Sequence, residues 1–271
     1  MNKHWTERMF IEKPSLFGVT LEKAVERARA EAAGLEDIFS KHAVPKNGLV
    51  FDLCCGIGRH SVVLAERGFR VVGVDLSPEY IASAEKSAAE RKIVGKVEFM
   101  VGDMRQIGDV LRDYKRKFNA IINLFSSIGY YDEKTDRNVL TQVLGLTSPK
   151  GILVIETKNR DSLIRHFRHK DIDYVNDDLV LIEERSLNLE NSRMESVWKY
   201  YRKKENDLKF LDAFEVDHRV YSLHELKRLA ESSGWTYQTC YGSLNLEPLT
   251  MDSNRTVSYT HLRAHETVLD L

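Results

Sequence analysis

Residues 48 to 75 hold an apolar run, two closely spaced glycines, a helical stretch and a second apolar run ending in an acid, and no other stretch constrains the fold as much. The first run, 48 to 51, is short enough for a buried strand. Gly56 and Gly58 permit a tight turn, Ser61 to Arg67 reads as helix, and Gly68 ends it. Val71 to Val74 then reads as a second strand that stops at Asp75. This order predicts two neighbouring parallel strands with a ligand beyond their carboxyl ends.

The chemistry of the turn narrows the ligand. A nicotinamide or flavin dinucleotide calls for a third glycine near position 61 and sets its pyrophosphate on the helix N-terminus. Ser61 is not glycine, and Asp52, just before the turn, would repel a pyrophosphate. The same charge favours a cofactor carrying an ammonium and a sulfonium, which describes S-adenosyl-L-methionine. With D-x-x-C-G-x-G-R from Asp52 to Arg59, the acid at Asp75 and the pair Gly102-Asp103, the chain resembles the class I S-adenosylmethionine-dependent methyltransferases over roughly residues 45 to 255.

That resemblance implies a role for each matching residue. Gly56 and Gly58 let the backbone approach the methionine moiety, with Arg59 or His60 near its carboxylate. Asp52 holds its ammonium, Asp75 accepts the ribose hydroxyls and Asp103 takes the adenine amino group. Cys54 stands where the family more often has glycine. Leu76, Met104, Asn123 and Phe125 complete the implied cofactor set, Phe125 packing near the sulfonium.

Composition excludes several alternatives. With 42% hydrophobic residues in 271 and a formal net charge of -1, the chain suits one sizeable domain with an embellishment. The 40 basic residues are spread among 41 acidic ones, which argues against a nucleic-acid partner. No apolar run reaches membrane-spanning length and the N-terminus lacks a signal-type core, so a cytoplasmic protein is expected. Cys54, Cys55 and Cys240 match neither a disulfide framework nor a zinc pattern; no metal is expected.

The expected fold class is α/β, a Rossmann-like class I methyltransferase sheet, mostly parallel, with an antiparallel β-meander insertion. Residues 1–44 read as an N-terminal flap and helix, with Trp5, Met9, Phe10 and Phe17 either covering the active site or packing on the surface. Residues 45–174 and 221–256 read as the S-adenosylmethionine-binding core. Period-two alternation over 179 to 188, 193 to 202 and 208 to 220 marks 175–220 as the insertion, a substrate cover or a homodimer surface. A helix over 161 to 168 would place His166 and His169 on one face. Residues 257 to 267, VSYTHLRAHET, look like translated sequencing adapter, so 257–271 are set aside as a non-native tail and the last core strand is expected to be incomplete.

The methyl acceptor is expected beyond the fourth strand, at Asn123 to Tyr131. That segment lacks the [DN]-P-P-[YF] sequence of nucleobase amine methyltransferases and a Pro-Cys pair for attack on pyrimidine carbon. Phe125-Ser126-Ser127-Ile128-Gly129-Tyr130 is similar to the corresponding segment of sugar-amine N,N-dimethyltransferases. This implies a small polar acceptor met by Ser126, Ser127, Tyr130 and Asn159, with transfer to nitrogen or oxygen. Asn159 reads equally as a helix cap, and Tyr130 with Tyr131 as helix-start packing. Tyr130 and His218 are the candidates for a proton-transfer role. Trp198 and Tyr200, interleaved with cations, offer a base-stacking alternative. A tRNA, rRNA or protein methyltransferase and a noncatalytic cofactor-binding subunit are the competing functions.

Overall fold

The computed structural model describes residues 3–205 and 207–262. A seven-stranded sheet runs in the order β10-β11-β5-β4-β1-β2-β3 and a second, four-stranded sheet in the order β6-β7-β8-β9. The central strands β1 (Leu49–Leu53), β2 (Arg70–Asp75), β3 (Val97–Val101), β4 (Phe118–Asn123) and β5 (Thr147–Lys158) are mutually parallel. Val50 pairs with Val71 on one side and Ala120 on the other, so β1 is buried on both faces and its run is continuously apolar.

Helices cover both faces of this sheet. On one face lie α3 (Ala28–Lys41), α4 (Arg59–Glu66) and α5 (Pro78–Glu90), burying Leu35, Phe39, Leu64 and Ala88 against Val50, Ala120 and Val154. On the other lie α6 (Ile107–Val110), α7 (Glu133–Leu146) and α9 (Leu223–Ser232), burying Ile107, Val139, Val143 and Leu226 against Phe51, Val72 and Ile121. The helix starts follow from local chemistry. Asp132 caps α7 by accepting from Thr135 N at 2.7 Å, Ser77 caps α5 ahead of Pro78, and Ser222 with Glu225 forms a capping box on α9.

β10 (Trp235–Tyr241) and β11 (Arg255–Leu262) close the sheet, with β11 antiparallel to both β10 and β5. The last strand is therefore filled, contrary to the expectation from sequence. Residues 255–261 pair with 152–158, residue 262 pairs with Trp235, and Val257 is fully buried in the core, so residues 257–262 lie inside the sheet. Residues 263–271 of the tail lie outside the described residues.

The second sheet comprises β6 (Lys170–Tyr174), β7 (Leu179–Asn188), β8 (Arg193–Lys204) and β9 (Asp207–Arg219), all antiparallel. It begins earlier than the alternation suggests. α8 (Arg160–Arg165) stops at His166, short of the expected 161 to 168, and residues 170–174 pair with β7, Ile172 opposite Ile182. His166 and His169 consequently share no helix face, and no group of three or more metal-capable side chains forms among the described residues. Between the two sheets runs the N-terminal segment, α1 (Trp5–Glu7), a π-turn and α2 (Pro14–Lys23). Its Met9, Phe10, Phe17 and Leu21 pack with Leu181, Tyr200, Phe214 and Val216 of the meander. Among the described residues no helix is long and apolar enough to cross a membrane.

Candidate active site

Beyond the carboxyl end of β1 the chain turns through three left-handed positions, Cys54 (φ 63°), Gly56 (φ 56°) and Gly58 (φ 71°). Cys55 N donates to Val74 O at 3.0 Å and Gly58 N to Cys55 O at 3.0 Å, which fastens the turn against β2. A Cβ at Gly58 would sit 2.7 Å from Ala84 Cβ and 3.0 Å from the Phe99 ring, so only glycine fits there. At Cys54 the family's glycine finds its reason: a side chain there bears a left-handed backbone, a strain of about 1–2 kcal/mol. The Cys54 thiol lies 3.6 Å from Met104 Sδ.

Asp75 clamps this turn. Its Oδ2 accepts from Gly56 N at 2.8 Å and its Oδ1 from Ser77 N at 2.9 Å, while the carboxylate still lines the cavity. Burial raises its pKa against the pull of those amides. Asp52 lies deeper, 2% exposed, accepting from Ser61 Oγ at 2.6 Å, and is absent from the cavity wall. Burial pushes its carboxyl up to about 6 despite Ser61 and Arg59. Asp103 opens onto the cavity but is already engaged by Arg105, at 2.8 Å from its backbone N and 2.5 Å from Nη2. The Arg105 guanidinium in turn lies 4.6 Å from the Tyr131 ring centre.

Glu31, on α3, holds the start of α4 by pairing with Arg59 and with His60 Nε2 at 2.8 Å. Burial would raise Glu31, but His60 and Arg59 outweigh it and hold it at about 2. Burial pushes His60 down to about 4, so its ring is neutral at physiological pH. Glu31 was missed from sequence; the available signal was an acid falling at helical spacing among Ala28, Ala32 and Leu35.

The opposite wall is built at the end of β4. Phe125 and Ser126 both have positive φ, 65° and 67°, and Glu156 fixes them by accepting from Phe125 N at 2.6 Å through its carboxylate and from Ser126 N at 3.0 Å through its carbonyl. The Phe125 ring lies between two cations, Arg59 at 5.4 Å and Arg255 at 4.9 Å. Phe125, Ser127, Tyr130 and Tyr131 face the cavity together with Leu76, Met104 and Gly56. Burial pushes the Tyr130 phenol well up, so it remains a neutral donor. Thr6, Phe10, Phe17 and Leu21 come down from the N-terminal segment and Tyr80 from α5 to complete the enclosure.

Besides Asp52, seven of the residues singled out from sequence lie off this wall. Ser126 Oγ accepts from Lys158 N at 3.0 Å and Arg255 Nη1 at 2.8 Å, which turns it into a brace. Asn159 caps α8, accepting from Asp161 N at 3.1 Å and donating to the carbonyls of Thr250 and Ser253. Asn123 is fully buried and donates to Leu53 O at 2.9 Å, joining β4 to β1. Gly58 stands behind the turn, against Ala84. His218, on β9, is pushed down to about 3 by burial and by Lys158 and Arg193, and does not reach the cavity. Tyr200 is fully buried against Phe214 and Trp198 stacks on Phe17 at 6.1 Å, so neither presents a free face to a nucleobase.

A doubly wound sheet with a glycine turn, an acid ending β2 and a cavity at the strands' carboxyl ends defines a class I S-adenosylmethionine-dependent methyltransferase fold. Residues 50–151 match the family model described as a methyltransferase domain, and S-adenosylmethionine is the cofactor of this domain. The chain is 33% identical over 119 residues to a glycine/sarcosine N-methyltransferase from Halorhodospira halochloris, covering 43% of this chain and 42% of that one. It is 29% identical over 127 residues to the dTDP-3-amino-3,6-dideoxy-alpha-D-glucopyranose N,N-dimethyltransferase of Streptomyces fradiae, covering 46% and 45%. The chain spans about half the length of the curated relatives it matches. A structure of an amino pentose methyltransferase from Micromonospora echinaspora with S-adenosylmethionine bound superposes with a TM-score of 0.64 at 19% identity, over 90% of this chain and 97% of that one, a likeness of fold.

Proposed function

We propose that the protein transfers a methyl group from S-adenosylmethionine to a nitrogen of a small polar acceptor. The observation that carries this reading is the single enclosure shared by the turn at 54–58, Asp75 and Asp103 on one side and Phe125, Ser127 and Tyr130 on the other. The residues fit the cofactor. A Cβ at Gly56 would fill the cradle, 3.2 Å from Leu21 Cδ1, and the carboxylates match a cationic ligand better than a pyrophosphate. Asp75 would hold the ribose, Asp103 and Met104 the adenine side, and the turn backbone the methionine end, with Asp52 acting from behind through Ser61.

When bound, S-adenosylmethionine supplies a methyl group already activated on a sulfonium. The protein then has to align the acceptor and exclude water, which contributes roughly 7 to 11 kcal/mol. The aromatic enclosure of Phe10, Phe17, Phe125 and Tyr130 performs both tasks. His60, Cys54 and Tyr130 are not set up as bases: His60 is tied to Glu31, and burial raises both the Cys54 thiol and the Tyr130 phenol. An amine acceptor arriving with its lone pair free suits such a site, in keeping with the amino-acid and sugar N-methyltransferases among the relatives.

Calorimetry with S-adenosylmethionine tests the reading, with Asp75→Ala as control. Binding should weaken by about 100-fold in the variant, because a charged hydrogen-bonding group worth roughly 1.5–3 kcal/mol per contact is lost. Heat with a dinucleotide and none with S-adenosylmethionine would refute it. Labelled cofactor incubated with separate metabolite and RNA pools should mark the metabolites; label confined to RNA would overturn the small acceptor.

A further inference from the structure

Three pieces of the enclosure meet at Arg105, a side chain that does not itself line the cavity. Its main chain is pinned to α7, because Arg105 O accepts from Gln142 Nε2 at 3.0 Å and Gly108 N donates to Gln142 Oε1 at 2.9 Å. The guanidinium is the part left free to move. It lies 4.6 Å from the Tyr131 ring centre, and the His4 ring lies 4.7 Å from the same ring. Tyr131 Oη is in turn 3.2 Å from Thr6 Oγ1. Arg105 therefore stands between the acid past the end of β3, the wall that carries Tyr130 and Tyr131, and the N-terminal segment that brings Thr6 and Phe10 to the cavity.

The hydrogen bonds of Asp103 are fully committed. Its Oδ1 accepts from Arg105 N at 2.8 Å and Nε at 3.0 Å, and its Oδ2 from Nε at 2.8 Å and Nη2 at 2.5 Å. A carboxylate offers about four lone-pair sites, so a further donor arriving at Asp103 has to displace one of these. The pinned backbone donor stays; Nη2 can leave. That nitrogen stands 3.8 Å from Glu7 Oε1, about 1 Å beyond hydrogen-bond length, and the two side chains are 37% and 35% exposed. So long a pair at the surface holds little by itself.

Building on the methyltransferase reading, in which Asp103 meets the adenine amino group, we infer that Arg105 is a positioning residue that turns Nη2 from Asp103 to Glu7 when Asp103 takes that amine. The planar guanidinium makes the exchange possible, because its fork keeps the Nε hydrogen bond to Asp103 while Nη2 changes partner. Glu7 then fastens α1, and with it Thr6 and Phe10, over the acceptor side. Recognition at the adenine end and closure of the acceptor wall are one coupled event. By reciprocity, the factor by which the adenine amine tightens the segment is the factor by which the segment tightens adenine binding.

The probes are S-adenosylhomocysteine and S-inosylhomocysteine, which has a carbonyl in place of the amine, each added to the full chain. Calorimetry gives the affinities, and hydrogen exchange gives the protection of residues 5–12. At saturation S-adenosylhomocysteine should slow exchange there about fivefold beyond S-inosylhomocysteine, the upper range for an exposed ion pair. Glu7→Gln should remove that difference and weaken S-adenosylhomocysteine by the same factor, while S-inosylhomocysteine affinity and the exchange of the ligand-free segment stay within twofold. Arg105→Lys, which keeps the charge and loses the fork, should also remove the difference. An ion pair with a merely structural role would instead speed exchange without ligand and weaken both nucleosides alike. Equal protection by the two nucleosides, equal weakening of both by Glu7→Gln, or unaltered S-adenosylhomocysteine affinity in that variant would overturn the inference. Heat with S-adenosylhomocysteine alongside any of those results rejects the coupling only, whereas no heat with it or with S-adenosylmethionine rejects the methyltransferase reading beneath it as well.

Discussion

The cavity wall made by residues 52–77 is a backbone device, whereas the wall facing it is a side-chain device. In the first, left-handed turns expose main-chain groups, and one carboxylate, Asp75, holds two amides within 2.9 Å. All its parts lie within 26 residues of chain. The second wall needs Glu156 and Arg255 to hold Phe125 and Ser126, the N-terminal aromatics to enclose them, and a separate sheet behind. A group common to every catalytic cycle can be met by a rigid local turn. Under the proposed function, discrimination among acceptors would fall to side chains that vary independently, and these come from distant segments.

Substitutions at the seams of the two walls should separate them, beginning where the effect is greatest. Gly129 (φ 104°) joins the second wall to the meander, accepting from Arg219 N at 2.8 Å, and a Cβ there would lie 2.3 Å from Arg219 O. Gly129→Ala should cost roughly 3 kcal/mol in chemical denaturation, from backbone strain added to a main-chain clash. S-adenosylmethionine binding, proposed to rest on the other wall, should change less than threefold; a loss as large as that of Asp75→Ala would show that the walls are not independent.

Asp52→Asn should act the other way on stability. The folded pKa of Asp52, about 6, lies above the unfolded value, so the native state is favoured below about pH 4 and loses that advantage as pH rises through 6. The amide should therefore stabilise the protein by about 3 kcal/mol at pH 7.5 and by well under ~1 kcal/mol at pH 4, given about 1.36 kcal/mol per pKa unit over a rise of roughly two units. Cofactor affinity should fall in the same variant if Asp52 favours the ammonium. Denaturation curves at the two pH values give the difference directly, and equal gains at both would contradict a buried charge.

Cys54→Gly is the smallest of the set. Removing a side chain from a left-handed position should add about 0.5–1 kcal/mol after the unfolded-state entropy of glycine is counted. Because the Cys54 thiol also packs against Met104, a loss of stability would mean that this contact outweighs the strain.

The contrast between the walls also explains what sequence reading reached. Gly56, Asp75, Asp103, Phe125, Ser127 and Tyr130 were legible because strand, turn and acid follow one another at fixed spacing, and the structure brings all six to one cavity. Glu31, Thr6 and Tyr80 were not, since nothing local says that α3, the start of the N-terminal segment or α5 reaches the cavity. Ser126 and Asn159 were marked for an acceptor by their place in a motif, yet their polar atoms are consumed by Lys158, Arg255 and the 250–253 carbonyls. β6 is not announced by the sequence, because residues 170–174 are short and mostly polar and lie before the alternation that starts at 179; pairing with β7 decides their conformation.

By itself the sequence determined the parallel core, the turn between β1 and α4 and the carboxylates around it, because buried strands, left-handed glycines and strand-end acids are local requirements written in consecutive residues. Tertiary structure alone decided which side chains remain free to meet a ligand. A hydroxyl or carboxylate is available only when no neighbour has already taken its hydrogen bonds, and those neighbours arrive from elements far away in the chain.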